Sequence, residues 1–307
     1  MVLLIVEEFV VCISKKIKLT WEEIIKEIRI KPEFKQLVQD AYLGDDLSEN
    51  VNQFSNGLEF KETLKIIQDA GFFTGSHVLD IGAGNGIATI SFARKGFKVT
   101  ALEPDLSETI GAGAIQWLVK NESLENVQLL TTTAENIKST QAIYEIVYIR
   151  QAVHHAANLN QFIANAVASL KSGGLYLATR DHVIYNENDK QWFLESHPLH
   201  KFYGGENAFT LIEYLDAMKK AGLKEIQYFS YYESPLNFLP VSPDTIRKKI
   251  KSREDLIDHS LRSKFGPLAK NKWLKKMYTK RVNRKLGLVL DESLVPGRPY
   301  TFIGIKP

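Results

Sequence analysis

The stretch from Val78 to Ile87, Val-Leu-Asp-Ile-Gly-Ala-Gly-Asn-Gly-Ile, constrains this chain more than any other. An apolar run ends in three glycines at alternate positions and resumes as the helical pattern Ile87–Arg94. Such a run predicts a strand, a tight turn and a helix, because glycine tolerates positive φ and lets a ligand approach the backbone closely. Further apolar runs lie at His77–Ile81, Lys98–Glu103, Val127–Thr132, Glu145–Arg150, Leu175–Thr179, Glu225–Tyr232 and Tyr300–Lys306. Between the early ones lie helical patterns at Ser107–Lys120 and Leu159–Leu170. Continuously apolar strands alternating with helices predict an α/β fold: a Rossmann-like, seven-stranded, mostly parallel sheet with helices on both faces.

The spacing of the glycines narrows the ligand. Gly82, Gly84 and Gly86 read G-x-G-x-G, whereas a dinucleotide fingerprint places its third glycine one residue later, at Ile87. Asp80, just before the turn, suits a cationic group such as an ammonium or a sulfonium and repels a pyrophosphate. Glu103, 23 residues further on, stands at the end of the next strand, where a carboxylate can accept hydrogen bonds from both hydroxyls of a ribose. Singly, the glycines make an ordinary turn and Glu103 an ordinary loop acid. Together, after two successive strands, they describe a cofactor site.

Asp80-Ile81-Gly82-Ala83-Gly84-Asn85-Gly86 with Ala101-Leu102-Glu103-Pro104-Asp105 resembles the class I S-adenosylmethionine-dependent methyltransferases. Thr133-Ala134-Glu135 is similar to that family's adenine-contacting turn, and Leu170–Gly174 to the turn before its fifth strand. Glu145–Tyr148 running into Arg150–His155 looks like the fourth strand and the helix after it. The resemblance covers about residues 73 to 232 and the last strand. It implies S-adenosyl-L-methionine as cofactor, held by Asp80, Gly82, Ala83, Gly84, Gly86, Glu103, Pro104, Thr133, Ala134, Glu135 and Arg150. Two residues depart from the pattern: Thr133 replaces a common Asp or Asn, which leaves a backbone contact to adenine, and Glu145 replaces a common Asp. A narrower resemblance spans nearly the whole chain. Ile110–Ile115, His197-Pro198-Leu199-His200 and Tyr203-Gly204-Gly205-Glu206-Asn207 are similar to blocks in an uncharacterised bacterial group of methyltransferases with no assigned substrate.

In open α/β sheets ligands bind beyond the carboxyl ends of the strands. That rule gathers Arg150, Gln151, His154, His155, Arg180, Asp181 and His182 at one end. Five of the seven histidines fall between 154 and 200. Histidine suits proton removal near neutral pH. His155 and His182 are therefore the expected bases, with Arg150 and Arg180 orienting an oxygen or anionic group. His154, His200, Tyr203 and Glu206 are expected near the acceptor, although His154 could equally pack at a helix start and 203–207 could be a plain turn. Pro198 breaks the helical spacing of His197 and His200 and no further ligand set is apparent, so no metal is expected.

The flanking regions are different. Thr20 and Glu23 have capping-box spacing, followed by Trp21, Ile24, Ile25 and Ile28 at helical intervals. Residues 1–72 are expected to form an N-terminal helical extension, a lid whose apolar surface includes Phe54, Phe60 and Leu64, on a methyltransferase-like domain at 73–307. A basic helical insertion is expected at about 236–297, before the last strand. Its helix starts are Ser242-Pro243 and Gly266-Pro267, and Leu268, Trp273, Leu274, Met277, Tyr278 and Val282 make one apolar stripe. Arg247 to Lys285 holds 15 basic and 3 acidic residues, a balance of +12 in a chain of net charge +3. Such asymmetry concerns partners or solubility, not fold.

The single cysteine, Cys12, excludes a disulfide framework and a cysteine-ligated metal within one chain. The apolar Met1–Ser14 run has no preceding basic residue, is interrupted by Glu7 and Glu8, and is too short to span a bilayer. No membrane span and a cytoplasmic location are expected. The acceptor is expected to be a small molecule or glycoconjugate methylated on O or N, an anionic one being suggested by the insertion. Nucleic acid ranks behind it, because no Asn-Pro-Pro-Tyr motif follows the fourth strand; a non-catalytic cofactor-binding protein is the other alternative.

Overall fold

A computed structural model describes residues 20–137, 142–203 and 205–307. The apolar N-terminal run, Cys12 and Gly204 lie outside the described residues, as does the side chain of Tyr203. Among the described residues four helices come first: α1 Trp21–Arg29, α2 Lys35–Asp40, α3 Leu47–Asn56 and α4 Leu58–Asp69. The capping box forms as expected, Thr20 accepting from the Glu23 N–H while the Glu23 carboxylate accepts from the Thr20 N–H. Next come β1 His77–Ile81, α5 Ile87–Arg94, β2 Lys98–Leu102, α6 Ala112–Asn121, β3 Val127–Leu130, β4 Tyr144–Arg150, α7 Leu159–Ser169 and β5 Leu170–Ile184. The chain closes with α8 Glu187–Ser196, α9 His200–Tyr203, β6 Phe209–Thr210, α10 Leu211–Lys220, β7 Lys224–Phe229, α11 Pro235–Phe238, α12 Pro243–Phe265, α13 Lys272–Leu286 and β8 Arg298–Ile305.

The sheet runs β3-β2-β1-β4-β5-β8-β7, with the short β6 pairing β5 off this path. Strands β1 to β5 pair in parallel and β8 lies antiparallel between β5 and β7. The expected seven strands are all present. The two-residue β6 adds an eighth that is too short to read as a strand by periodicity. Strand β5 is three times the expected length, because it starts at Leu170, paired with β4, and its pairing with β8 continues past a bulge between Ala178 and Asp181. Arg180 takes a positive φ of 61° at that bulge. Bulges re-aim side chains, and here one carries Arg180, Asp181 and His182 to the mouth of the sheet.

Helices cover both faces. On one, α7 and α10 bury Ile163, Val167, Tyr214 and Met218 against β4, β5 and β8. On the other, α3, α4 and α5 bury Val51, Phe54, Phe60, Ile67 and Phe92 against β1, β2 and β4. Phe54, Phe60, Phe92 and Tyr148 form a chain of ring contacts at 5.1–5.4 Å. The expected lid therefore divides. Phe54 of α3 and Phe60 of α4 are fully buried core residues, since both helices pack with α5 on this face of the sheet. Only α1 and α2 sit over the carboxyl end, where Ile24, Ile25 and Ile28 pack on Ile110, Leu199 and Phe202.

The insertion is a helical hairpin, α12 and α13, joined by a 3-10 turn at Gly266–Lys270. Ser242 caps α12 as expected. The apolar stripe, however, is not buried. Leu268 and Trp273 are each 68% exposed and Met277 52%, and α13 has no buried residue. Leu274, Tyr278 and Val282 are half-buried, Tyr278 meeting Phe265 and Ser260 of α12, so the stripe is covered only in part and by its own hairpin. No helix among the described residues is long and apolar enough to cross a membrane.

Candidate active site

The glycine turn is pinned to the end of β2: the N–H groups of Gly82 and Ala83 donate to the Leu102 carbonyl at 2.8 and 3.2 Å. Gly82 has φ +70°, and a Cβ there would meet the Ala152 Cβ at 2.5 Å. No larger residue fits. Gly84 has φ +56°, and a Cβ there would meet nothing nearer than the Ile110 carbonyl at 4.0 Å, so the face of the turn can be approached closely.

Two acids flank the turn. Asp80 is 1% exposed and accepts from the Thr89 hydroxyl at 2.6 Å. Burial pushes its carboxyl up to about 7, the nearby Glu103 adding to the rise. Glu103 accepts from the N–H groups of Gly84 at 2.6 Å and Asp105 at 2.8 Å, and burial raises its carboxyl above the usual range.

Above the turn opens a cleft of about 390 Å³, within the size range of small-molecule sites. Asp80, Gly82, Ala83, Gly84 and Arg150 line its floor. His154, His155, Arg180, His182, His197 and Glu206 line one wall, and Trp21, Leu37 and Leu43 from the lid region line another. Thus the bulge of β5, the segment after β4 and the 197–206 segment meet the glycine loop. The other expected residues, Glu103 among them, lie outside this lining; Glu103 reaches it only through the Gly84 N–H. Gly86 is the N-cap of α5, and Pro104 is exposed. Thr133 and Ala134 start a 3-10 turn after β3, and Glu135 accepts from the Ala157 N–H at 3.0 Å. His200 is in α9, with its Nδ1 buried and unpaired.

The charged groups of the cleft come paired. Arg150 donates to Glu59 through Nε at 2.6 Å and Nη2 at 3.2 Å, and its guanidinium lies over the rings of Tyr42 and Phe54. Arg180 donates to the Leu236 and Leu239 carbonyls and lies 3.7 Å from Glu59. Although burial opposes it, these two cations hold the Glu59 carboxyl below the usual range. Glu59 was not legible as a site residue in the sequence; its one signal is an acid on the apolar face of α4, beside Phe60 and Thr63.

The histidines form a second cluster. His154 is buried between Asp181, 3.0 Å from Nδ1, and Glu206, 3.4 Å from Nε2. Against the cost of burial, hydrogen bonds to these two acids push His154 up to about 9. Glu206 is correspondingly held well down by His154 and His155 despite burial. His155 and His182 donate Nδ1–H to the Gly205 and Gly297 carbonyls, so each keeps Nε2 as an accepting nitrogen. Burial lowers both, His182 strongly.

Residues 55–228 match the sequence profile of a methyltransferase domain. The chain belongs to that family. Among curated relatives of this methyltransferase is a ubiquinone biosynthesis O-methyltransferase of Rickettsia canadensis, 32% identical over 98 residues, or 32% of this chain and 39% of that protein. The corresponding enzyme of Coxiella burnetii is 27% identical over 155 residues, covering 48% of this chain and 58% of that protein. The methyltransferase thus matches less than two thirds of the length of either relative. Its fold is also that of solved structures. Phosphoethanolamine N-methyltransferase 2 of Haemonchus contortus superposes with a TM-score of 0.51 and 18% identity, over 91% of this chain and 60% of that one. Geranyl diphosphate C-methyltransferase of Streptomyces coelicolor gives 0.52 and 15%, over 87% of this chain and 88% of that one. Both were solved with S-adenosylhomocysteine bound.

Proposed function

We propose that this methyltransferase binds S-adenosyl-L-methionine along Asp80, Gly84 and Glu103 and transfers its methyl group to an oxygen or nitrogen of a small molecule in the histidine-lined cleft. One observation carries the reading: Asp80 and the glycine turn, with buried Glu103 hydrogen-bonded behind Gly84, form the floor of an open cleft whose wall bears basic nitrogens. Asp80, next to the turn, meets the cationic end of the cofactor, and Glu103 exchanges its backbone donors for ribose hydroxyls. Thr133, Ala134 and Glu135, at the end of β3, suit the adenine. Helices α1 and α2 roof the site.

Transfer is an in-line displacement: the methyl carbon bonds to the acceptor, and the C–S electron pair stays on sulfur. Alignment supplies much of the rate. An acceptor hydroxyl also loses a proton, and the accepting Nε2 of His155 or His182 takes it. Arg150 and Arg180 share one carboxylate, Glu59, while His154 lies between Asp181 and Glu206, so these cations and acids balance beside the cleft. An acceptor bearing phosphate, carboxylate or an acidic sugar is suggested by the basic hairpin alone. Calorimetry tests the cofactor assignment. Glu103→Ala should weaken S-adenosylmethionine binding at least tenfold, and unchanged affinity would sink it. Incubating cell extracts with methyl-labelled cofactor should then reveal the acceptor by mass spectrometry. His182→Ala should lower turnover on that acceptor far more than cofactor affinity.

A further inference from the structure

His154, His155 and Glu206 come from two segments about fifty residues apart, yet their ligand atoms lie within 4.8 Å of one another. Tautomer logic makes the group unusual. A carbonyl oxygen only accepts, so His155 Nδ1, 3.1 Å from the Gly205 carbonyl, carries that ring's proton. Asp181 holds His154 Nδ1 in the same way at 3.0 Å. Glu206 Oε2 lies 3.4 Å from His154 Nε2, which hydrogen-bonds to it, and 3.8 Å from His155 Nε2, whose lone pair faces the carboxylate.

A metal ion among the three atoms would take both Nε2 atoms and Glu206 Oε2 as ligands together. A tetrahedral ion bonded to nitrogen and oxygen at ~2.0–2.1 Å spaces its ligand atoms at roughly 3.3–3.4 Å; the rings stand 3.4 and 3.8 Å from Glu206 Oε2, with all three atoms within 4.8 Å of one another. Ligating histidines also commonly tie their other ring nitrogen to a carboxylate or carbonyl, as Asp181 and Gly205 do here. Behind the carboxylate, His197 Nδ1 is buried without a hydrogen bond, 3.7 Å from Glu206 Oε1, and so is placed to steady that second oxygen.

The geometry points to a divalent transition-metal site of zinc type, with His154 Nε2, His155 Nε2 and Glu206 Oε2 as ligands and an open position toward the acceptor cleft. It rests on the reading of that cleft as the acceptor pocket and deepens it. The acceptor class becomes a molecule offering a hydroxyl or enolic oxygen to the ion. Coordination makes that oxygen acidic. Its proton passes to His182 Nε2, since His155 is engaged by the metal, and the methyl group moves from sulfur to the oxygen.

The test uses the full chain without a histidine tag, stripped by chelator and titrated with Co²⁺ and then Zn²⁺. One ion per chain should bind, with visible ligand-field bands from Co²⁺ that Zn²⁺ abolishes. His155→Ala and Glu206→Gln should each weaken binding at least tenfold, while the distant His259→Ala should not. His155 is 40% exposed at its side chain, so its variant should melt like the parent, which separates loss of ligation from loss of fold. Absence of stoichiometric binding, or binding indifferent to His155→Ala and Glu206→Gln, overturns the site. S-adenosylmethionine calorimetry on the same samples keeps the two readings apart. Cofactor binding that persists in a chain taking up no metal discards the ion alone, whereas metal binding without cofactor binding discards the cofactor reading.

Discussion

The cleft and the basic hairpin use charge in opposite ways. In the cleft, Asp80, Glu59, Asp181 and Arg180 lie buried, each held by a named partner. In the hairpin, the 15 basic residues between Arg247 and Lys285 stand among exposed Trp273, Leu268 and Met277. Its cross-helix ion pair, Lys275 with Asp258 at 2.7 Å, joins two half-exposed side chains. Buried charges are tolerated only when paired, whereas exposed pairs contribute ~0–1 kcal/mol. Charge in the cleft therefore serves architecture and chemistry together, while charge in the hairpin is free to meet a partner or only water.

The largest effect should come from Glu59. Glu59→Ala leaves Arg150 and Arg180 buried beside no carboxylate, and breaking such a pair costs about 3–5 kcal/mol. Chemical denaturation should show that loss. A cost under about 1 kcal/mol would mean that the cleft's charges are as solvated as the hairpin's.

Asp80 sharpens the comparison through pH. Its folded pKa of about 7 lies above the ordinary 3.8. The folded chain therefore holds that proton more tightly than the unfolded one. The resulting stability is full below 3.8 and lost as pH rises through 7. Asp80→Asn should accordingly gain stability over the parent at pH above 7 in the absence of cofactor. A cationic ligand favours the ionised acid, so S-adenosylmethionine affinity should rise with pH through that range in the parent and stay flat, and weaker, in Asp80→Asn. Calorimetry on either side of neutrality measures both, and parallel pH profiles would remove Asp80 from the site.

The smallest effect on stability belongs to the hairpin. Reversing Lys272, Lys275 and Lys276 to Glu should change stability by about 0.5 kcal/mol or less per site. If the hairpin attracts an anionic acceptor, the Michaelis constant should climb with salt in the parent, because exposed charges are screened beyond about 8 Å at physiological ionic strength. The triple reversal should abolish that dependence. A salt-insensitive constant in the parent would reduce the hairpin's charge to solubility.

The sheet could be read because its signals are local. Apolar runs and the glycines at 82, 84 and 86 report on neighbours in sequence, and so do the caps at Thr20 and Ser242. Less was legible where long-range pairing extends or covers an element. Strand β5 outruns its apolar core because β8 keeps pairing beyond the bulge, and Phe54 and Phe60 became core because α3 and α4 pack with α5 on the sheet. The stripe on α13 was a correct helical pattern that gave no information about whether anything would cover it.

What the sequence determined by itself is the strand–turn–helix at Val78–Ile87, the acids at its ends and hence the parallel α/β frame, since backbone geometry and side-chain periodicity act over a few residues. Tertiary structure alone decided that Glu59 would clasp Arg150, 91 positions away, and that His154 would lie between Asp181 and Glu206. Those choices depend on which strand ends share one mouth of the sheet. They depend equally on the bulge at Arg180 and on the low dielectric of the cleft, where a charge must find a partner that no local spacing announces.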